Sequence, residues 1–191
     1  MSGEPLVAAF SIVGAPSRLE RASEAAAAAD WRDATYAPAV LASYAPHAEP
    51  PQASAVAAFC APHGLRLARA PAPPQFGCFV LTQGDGTRLY GHCLTVHAPL
   101  SPTTEVVLTA ATDVAPSESA APDGTATTTV GELLARDEEA CFAPRCFCLL
   151  SLAHFPLAFK ASLLALERMA QGAHDAPCAC LLYTSPSPRD S

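Results

Sequence analysis

Eight cysteines and six histidines are the residues of this 191-residue chain best equipped for chemistry. Thiolate and imidazole are the ligands of structural zinc, and together they form the nucleophile and base of cysteine hydrolases. Cys146 and Cys148 form one C-x-C pair and Cys178 and Cys180 another, while Cys60 stands three residues before His63 and His92 adjoins Cys93. Alternate residues of a strand share a face, so Cys146 and Cys148 could point the same way. Zinc knuckles use C-x2-C spacing, which this chain lacks, and the spacings here do not repeat. Most of the cysteines sit in apolar runs such as AFC, GCFV and CFCLL, where a free thiol packs as a small hydrophobe. The sequence therefore favours buried thiols over zinc and assigns no metal ligand and no cofactor. It holds neither a G-x-S-x-G elbow nor an H-E-x-x-H helix, and no catalytic residue is assigned.

The segment CFVLTQGDGTRLYGHCL, residues 78–94, carries the densest pattern. Gly84, Asp85 and Gly86 suit the positive-φ positions of a hairpin. They are not followed by the Lys-Ser/Thr and helix of a phosphate-binding loop. Arg88 and Tyr90 fall on one strand face. They could contact a partner, but a half-buried Tyr90 covered by Arg88 is the simpler reading. Gly91 in mid-strand marks a bulge or a close backbone approach.

Charge narrows the partners. The formal net charge is −7 and Lys160 is the single lysine. Nucleic acid needs several cations on one face, and an anionic membrane surface is disfavoured for the same reason. The apolar stretch 6–13 is too short for a membrane span, and Glu4 stands where a signal peptide wants positive charge. The cysteine usage suits a reducing, cytosolic compartment.

The elements that must position these residues read as follows. Residues 6–13 form a buried strand closed by Gly14 and Pro16. Residues 19–31 have helical composition but only a weak apolar stripe, so they form an exposed helix or an insert. Residues 46–52 are a loop by composition. Residues 53–60 are short and apolar, and a short strand could begin near Leu65. Residues 78–82 and 87–97 are the arms of the hairpin. On the return arm Leu89, Gly91, Cys93 and Thr95 share one face, and Arg88, Tyr90, His92, Leu94 and Val96 the other. Residues 105–111 form another apolar element. Residues 112–129 have no period and read as a linker, and residues 137–139 are a solvated acidic patch. After Pro144 the run RCFCLLS reads as a buried strand. Pro156 then opens a helix to about Ala170, whose apolar residues Phe159, Leu163, Leu164 and Leu166 find no large element left to cover them.

Taken in order, LVAAFSIVG from Leu6, PAVLASY from Pro38, FCAPHGLRL from Phe59, FGCFVLTQGDGTRLYGHCL from Phe76 and FAPRCFCLLSLAHFPLAFKASLLALERM from Phe142 resemble the upstream segment and the opening of the core segment of the DENN domain. The similarity covers most of residues 5–170. The FVLT…G-x-R-x-YG and P-x-C-x-C-LLS blocks are its most specific parts. Residues 21–31 and 112–129 look like inserts, and His154-Phe155 stands where the family usually turns through Pro-Phe into its helix. The resemblance implies an α/β (α+β) fold. A longin-like lobe, mostly antiparallel sheet with flanking helices, would span residues 1–135. The first strand and helix of a second α/β lobe would follow at 140–175. This reading requires residues 6–110 to build one sheet that includes the 78–97 ribbon.

The last residues, CLLYTSPSPRDS, abandon the alanine-rich usage of the chain and resemble the translation of a sequencing-library adapter. The expectation is a disordered, non-native tail at 176–191 on a truncated chain, which by itself would aggregate through its uncovered helix. The family implies a guanine nucleotide exchange factor for Rab-type small GTPases. Such a factor is a binding protein rather than an enzyme with reactive side chains. It would have no nucleic-acid partner and no transmembrane segment, and indirect association with trafficking membranes stays open. None of the family's contact residues is carried by these motifs, so the partner-binding residues are unknown. A longin-like trafficking adaptor without exchange activity, and a small zinc-binding or cysteine-dependent protein, are the alternatives.

Overall fold

The computed structural model describes residues 6–22, 30–45, 53–109, 125–137 and 140–175. In chain order the strands are β1 (Val7–Gly14), β2 (Arg18–Leu19), β3 (Thr35–Tyr36), β4 (Ala39–Tyr44), β5 (Leu65–Arg66), β6 (Gln75–Thr82), β7 (Arg88–Pro99), β8 (Glu105–Thr109), β9 (Thr125–Thr129) and β10 (Phe142–Ser151). The helices are α1 (Ala53–Cys60), α2 (Val130–Asp137) and α3 (Pro156–Asp175), with a short 3-10 turn at Trp31–Asp33.

The main sheet has the order β4-β1-β10-β7-β6, and each neighbouring pair is antiparallel. Its central strand, β10, is buried on both faces, which explains the unbroken run FCLL. Cys146, Cys148 and Leu150 turn to one side with Ala9, Val13, Cys93 and the helix residues Val56 and Ala57. Phe147 and Leu149 turn to the other with Leu94, Val96 and the helix residues Phe159 and Leu163. The sheet is thus sandwiched between α1 and α3, the mostly antiparallel α+β arrangement expected of a longin-like fold.

Local chemistry fixes the join between sheet and α3. The Ser151 hydroxyl, fully buried, lies 2.7 Å from the Leu6 carbonyl and 2.9 Å from the Ala153 carbonyl, so its one proton can go to either. It also accepts the Ala153 N–H at 3.0 Å. These bonds end β10 and tie it to the start of β1. Pro156 then takes the first helical position, where its missing N–H costs nothing.

A second cluster closes one end of the sandwich. It gathers Leu19, Tyr36, Leu65, Val106 and Leu108 from the small sheets β2-β8-β9 and β3-β5, Trp31 from the 3-10 turn, Leu100 just after β7, and Val130 and Leu133 from α2. Tyr36 is fully buried and its hydroxyl donates to the Trp31 carbonyl at 2.6 Å. Burial pushes the phenol up to about 12. α2 begins with a reciprocal cap. The Thr129 hydroxyl accepts the Glu132 N–H at 3.3 Å, and the Glu132 carboxylate accepts the Thr129 N–H at 3.2 Å. The Ala68–Phe142 bridge and the bond from Leu100 N–H to the Cys141 carbonyl, 2.9 Å, join this unit to β10 and β7.

Several expectations change. Residues 6–110 do place β1, β4, β6 and β7 in one sheet that includes the 78–97 ribbon, as the family reading requires, but the sheet is complete only with β10. β1, β4, β6 and β7 share a sheet only because β10 stands between β1 and β7, while β2, β3, β5 and β8 belong to the side sheets. Phe142–Ser151 and Pro156–Asp175, expected to open a second lobe at 140–175, are the middle strand and one covering helix of the first. The physical reason is that β10 pairs its backbone with β1 on one edge and β7 on the other, and buries apolar side chains on both faces of that sheet. α3 accordingly has a cover: Phe159 and Leu163 pack on the sheet, and Leu166 stays partly exposed. In the expected linker 112–129, residues 125–129 form β9, paired with β8. In the expected helix 19–31, Leu19 lies in β2 and Trp31 opens the 3-10 turn. Residues 23–29 and 112–124 of these segments, the 46–52 loop, residues 138–139 of the acidic patch and the tail 176–191 lie outside the described residues.

Gly91 does mark a close approach. A Cβ there would stand 2.3 Å from Cζ of the Phe79 ring, and Phe79 stacks on Phe59 of α1 at 5.0 Å. Gly91→Ala should therefore push Phe79 off α1 and cost about 1–3 kcal/mol in chemical denaturation. An unchanged midpoint would refute this packing.

Candidate functional site

The residues singled out for chemistry separate into an interior set and a surface set. The hairpin tip belongs to the surface. Asp85 accepts the Thr87 N–H at 2.8 Å, and Gly86 takes φ +85°. The Thr87 N–H holds the exposed Asp85 carboxyl below its ordinary pKa. This is a turn built by its own hydrogen bonds, with the aspartate occupied by them. Arg88 is exposed and Tyr90 half-buried. Tyr90 packs on the His154 ring at 5.1 Å.

His92 is fully buried beneath α3. Its ring lies 4.5 Å from Phe159, 5.4 Å from His154 and 6.5 Å from Phe76. The Cys78 sulfur is 3.4 Å from Nδ1. Burial is the main reason its pKa falls below the ordinary value, and the charge of His154 acts in the same direction. An imidazole enclosed in this way packs the interior and cannot reach a partner in solvent.

On the opposite face of the sheet four thiols converge. Cys93 and Cys148 are direct cross-strand neighbours on β7 and β10, and Cys146 precedes Cys148 on the same face. Cys60, at the end of α1, closes over them with its sulfur 3.6 Å from that of Cys93. The sulfurs of Cys60, Cys93 and Cys148 lie within 4.8 Å of one another. The Cys60 thiol is pulled far below its ordinary value because Cys146, Cys148 and Cys93 can all donate to its thiolate. Hydrogen bonding to Cys60 correspondingly pushes Cys146 up to about 12, and Cys93 and Cys148 also rise. Sequence spacing paired Cys146 with Cys148, Cys60 with His63 and Cys93 with His92, but gave no sign that Cys60 and Cys93 join the C-x-C pair. His63, suggested by its nearness to Cys60, is exposed and not part of the cluster.

The surface itself is apolar in several places. Leu41 and Tyr44 on the edge strand β4, Val80 on the edge strand β6 and Phe59 on α1 are exposed. So are Leu157, Leu166 and Met169 on α3 and Phe155 just before it. Leu166 and Met169, three apart, share one flank of α3, and Leu157 lies on the other. A groove of about 480 Å³ runs between α3 and the sheet, lined by Val96, His97, Arg145, Phe147, Glu167 and Gln171 among others. Among the described residues no helix is long and apolar enough to cross a membrane.

Lowered basicity of His92 has a measurable consequence. The unfolded chain binds a proton at this residue more readily than the folded one. Stability is therefore full above the ordinary histidine value of 6.5 and falls as pH drops through it. Thermal midpoints recorded between about pH 8 and about pH 5 should fall towards the acid end. His92→Phe should flatten that slope, and an unchanged slope in the variant would contradict the assignment.

Comparison with known proteins follows the same segments. Residues 38–96 match the model of the uDENN domain. No curated protein and no solved structure matches the chain. The matched segment covers less than a third of the 191 residues. It holds β4, α1, β5, β6 and most of β7, and with them Cys60, Cys93 and the YGHCL block. Residues 38–96 are thus similar to the upstream segment of the DENN domain, in agreement with the motifs quoted for it.

Proposed function

We propose that this chain supplies one lobe of a guanine nucleotide exchange factor for Rab-type small GTPases, acting in the cytoplasm and on trafficking membranes through its GTPase. The observation that carries this reading is the uDENN match at 38–96, which falls on strands and a helix of one longin-like sandwich. The distribution of side chains supports it. The groups with reactive chemistry, His92 and the thiols Cys93, Cys146 and Cys148, are buried, while both edge strands and α3 present apolar side chains.

Exchange needs no acid or base. A factor that binds the nucleotide-free GTPase better than the loaded one weakens nucleotide binding by the same coupling free energy. Nucleotide held at about nM to pM corresponds to roughly 12–16 kcal/mol that the interface must offset. That demands an interface of about 1,200–2,000 Å² or more, with rigid elements behind it. The sheet, tied by β10 and covered on both faces, provides such a backing.

The test is release of fluorescent nucleotide from a panel of Rabs, driven by the full-length protein. Faster release from at least one Rab is expected. His92→Phe should leave that rate unchanged, since the residue is buried. Rab binding without faster release would replace this reading with the trafficking adaptor. Neither binding nor release from any Rab would refute both.

A further inference from the structure

We propose that Cys60, Cys93, Cys146 and Cys148 are the four ligands of a single zinc ion held between α1 and the sheet. The donors arrive from three elements separated in sequence: the last residue of α1, mid-β7 and two positions of β10. A tetrahedral ion with Zn–S bonds of about 2.3 Å places its sulfurs about 3.8 Å apart. Cys60 and Cys93 are already 3.6 Å apart, and Cys148 lies within 4.8 Å of both. The fourth, Cys146, stands two residues before Cys148 on β10, in the same buried cluster, and would close in on the other three as the ion binds.

Packing alone does not account for this arrangement. The same sheet face and helix use Ala9 and Ala57 where a small residue is needed, so compactness does not require four sulfurs to face one another. Their other neighbours, Val13, Val56 and Leu150, are apolar. A donor set of thiolates with no carboxylate selects a soft ion over magnesium or calcium. The carbonyl end of α1 lies at Cys60, and its partial negative charge favours a cation there. On binding, Zn–S bonds replace S–H bonds and the protons leave to solvent, with no change of oxidation state. Such an ion would pin α1, inside the uDENN match, to β10 outside it.

The full chain, purified under reducing conditions and loaded with Zn²⁺, should hold one ion. X-ray absorption at the zinc edge should show a sulfur-only shell at about 2.3 Å. Cys60→Ala should weaken zinc binding at least about 100-fold. Cys141→Ala and the pair Cys178→Ser/Cys180→Ser should keep the ion. Should Cys60→Ala fail to fold, the absorption spectrum of the unaltered chain decides. Four results would overturn the proposal: no bound zinc, a shell of nitrogen or oxygen, loss of the ion with the Cys178/Cys180 pair, or saturation by Cu⁺ but not Zn²⁺. A Cys60–Cys93 disulfide that persists when Zn²⁺ is supplied under reducing conditions would overturn it as well.

Discussion

Everything in this fold hangs on β10 lying between β1 and β7. A strand buried on both faces and hydrogen-bonded along both edges leaves its neighbours no other register. β1 pairs with it from Val7 to Val13, apart from one shift near its start, and β7 pairs with it along all ten positions. Because β10 comes from near residue 150 and β1 from near residue 10, the sheet closes only after most of the chain is present. Ser151, bonded to the Leu6 carbonyl, closes the same long loop at one point. Pairing over that separation carries a loop-closure cost, and the apolar contacts on both faces of FCLL offset it.

That constraint shapes the functional reading. The uDENN match ends at residue 96, yet the matched strands β4 and β7 are joined only through β1 and β10. The physical unit that would present a surface to a GTPase is therefore wider than the matched segment. It includes α3, whose inner side covers the sheet and whose outer residues Leu157, Leu166 and Met169 remain exposed. A binding lobe must not deform when it meets its partner, and here rigidity and exposure reside in the same elements.

Much of this architecture was legible in the sequence, and the reasons differ by element. β1 and β10 announced themselves as short apolar runs bounded by Gly or Pro, the hairpin by Gly-Asp-Gly, and α3 by Pro156. The faces of β7 followed from alternation: Cys93 turns towards α1, and His92, Leu94 and Val96 towards α3. α1 was harder, because in ASAVAAFC the alanines blur any period. α2 was missed although Thr129-x-x-Glu132 is a capping box. β9 was missed because TATTT looks like linker composition, even though threonine is β-branched and suits a strand. Membership of β10 in the first sheet was invisible, since partner choice among apolar strands is a tertiary matter. The thiol cluster was hidden for the same reason: Cys60 and Cys93 are 33 residues apart, and only the fold brings them together.

β10 is the shared keystone of one cooperative sheet. Native-state hydrogen exchange measures this directly. The amides of residues 146–150 should exchange slowest of all and share one opening free energy with their partners in β1 and β7. If β10 and α3 instead open at lower free energy, while β1, β4, β6 and β7 stay protected together, the claim is wrong.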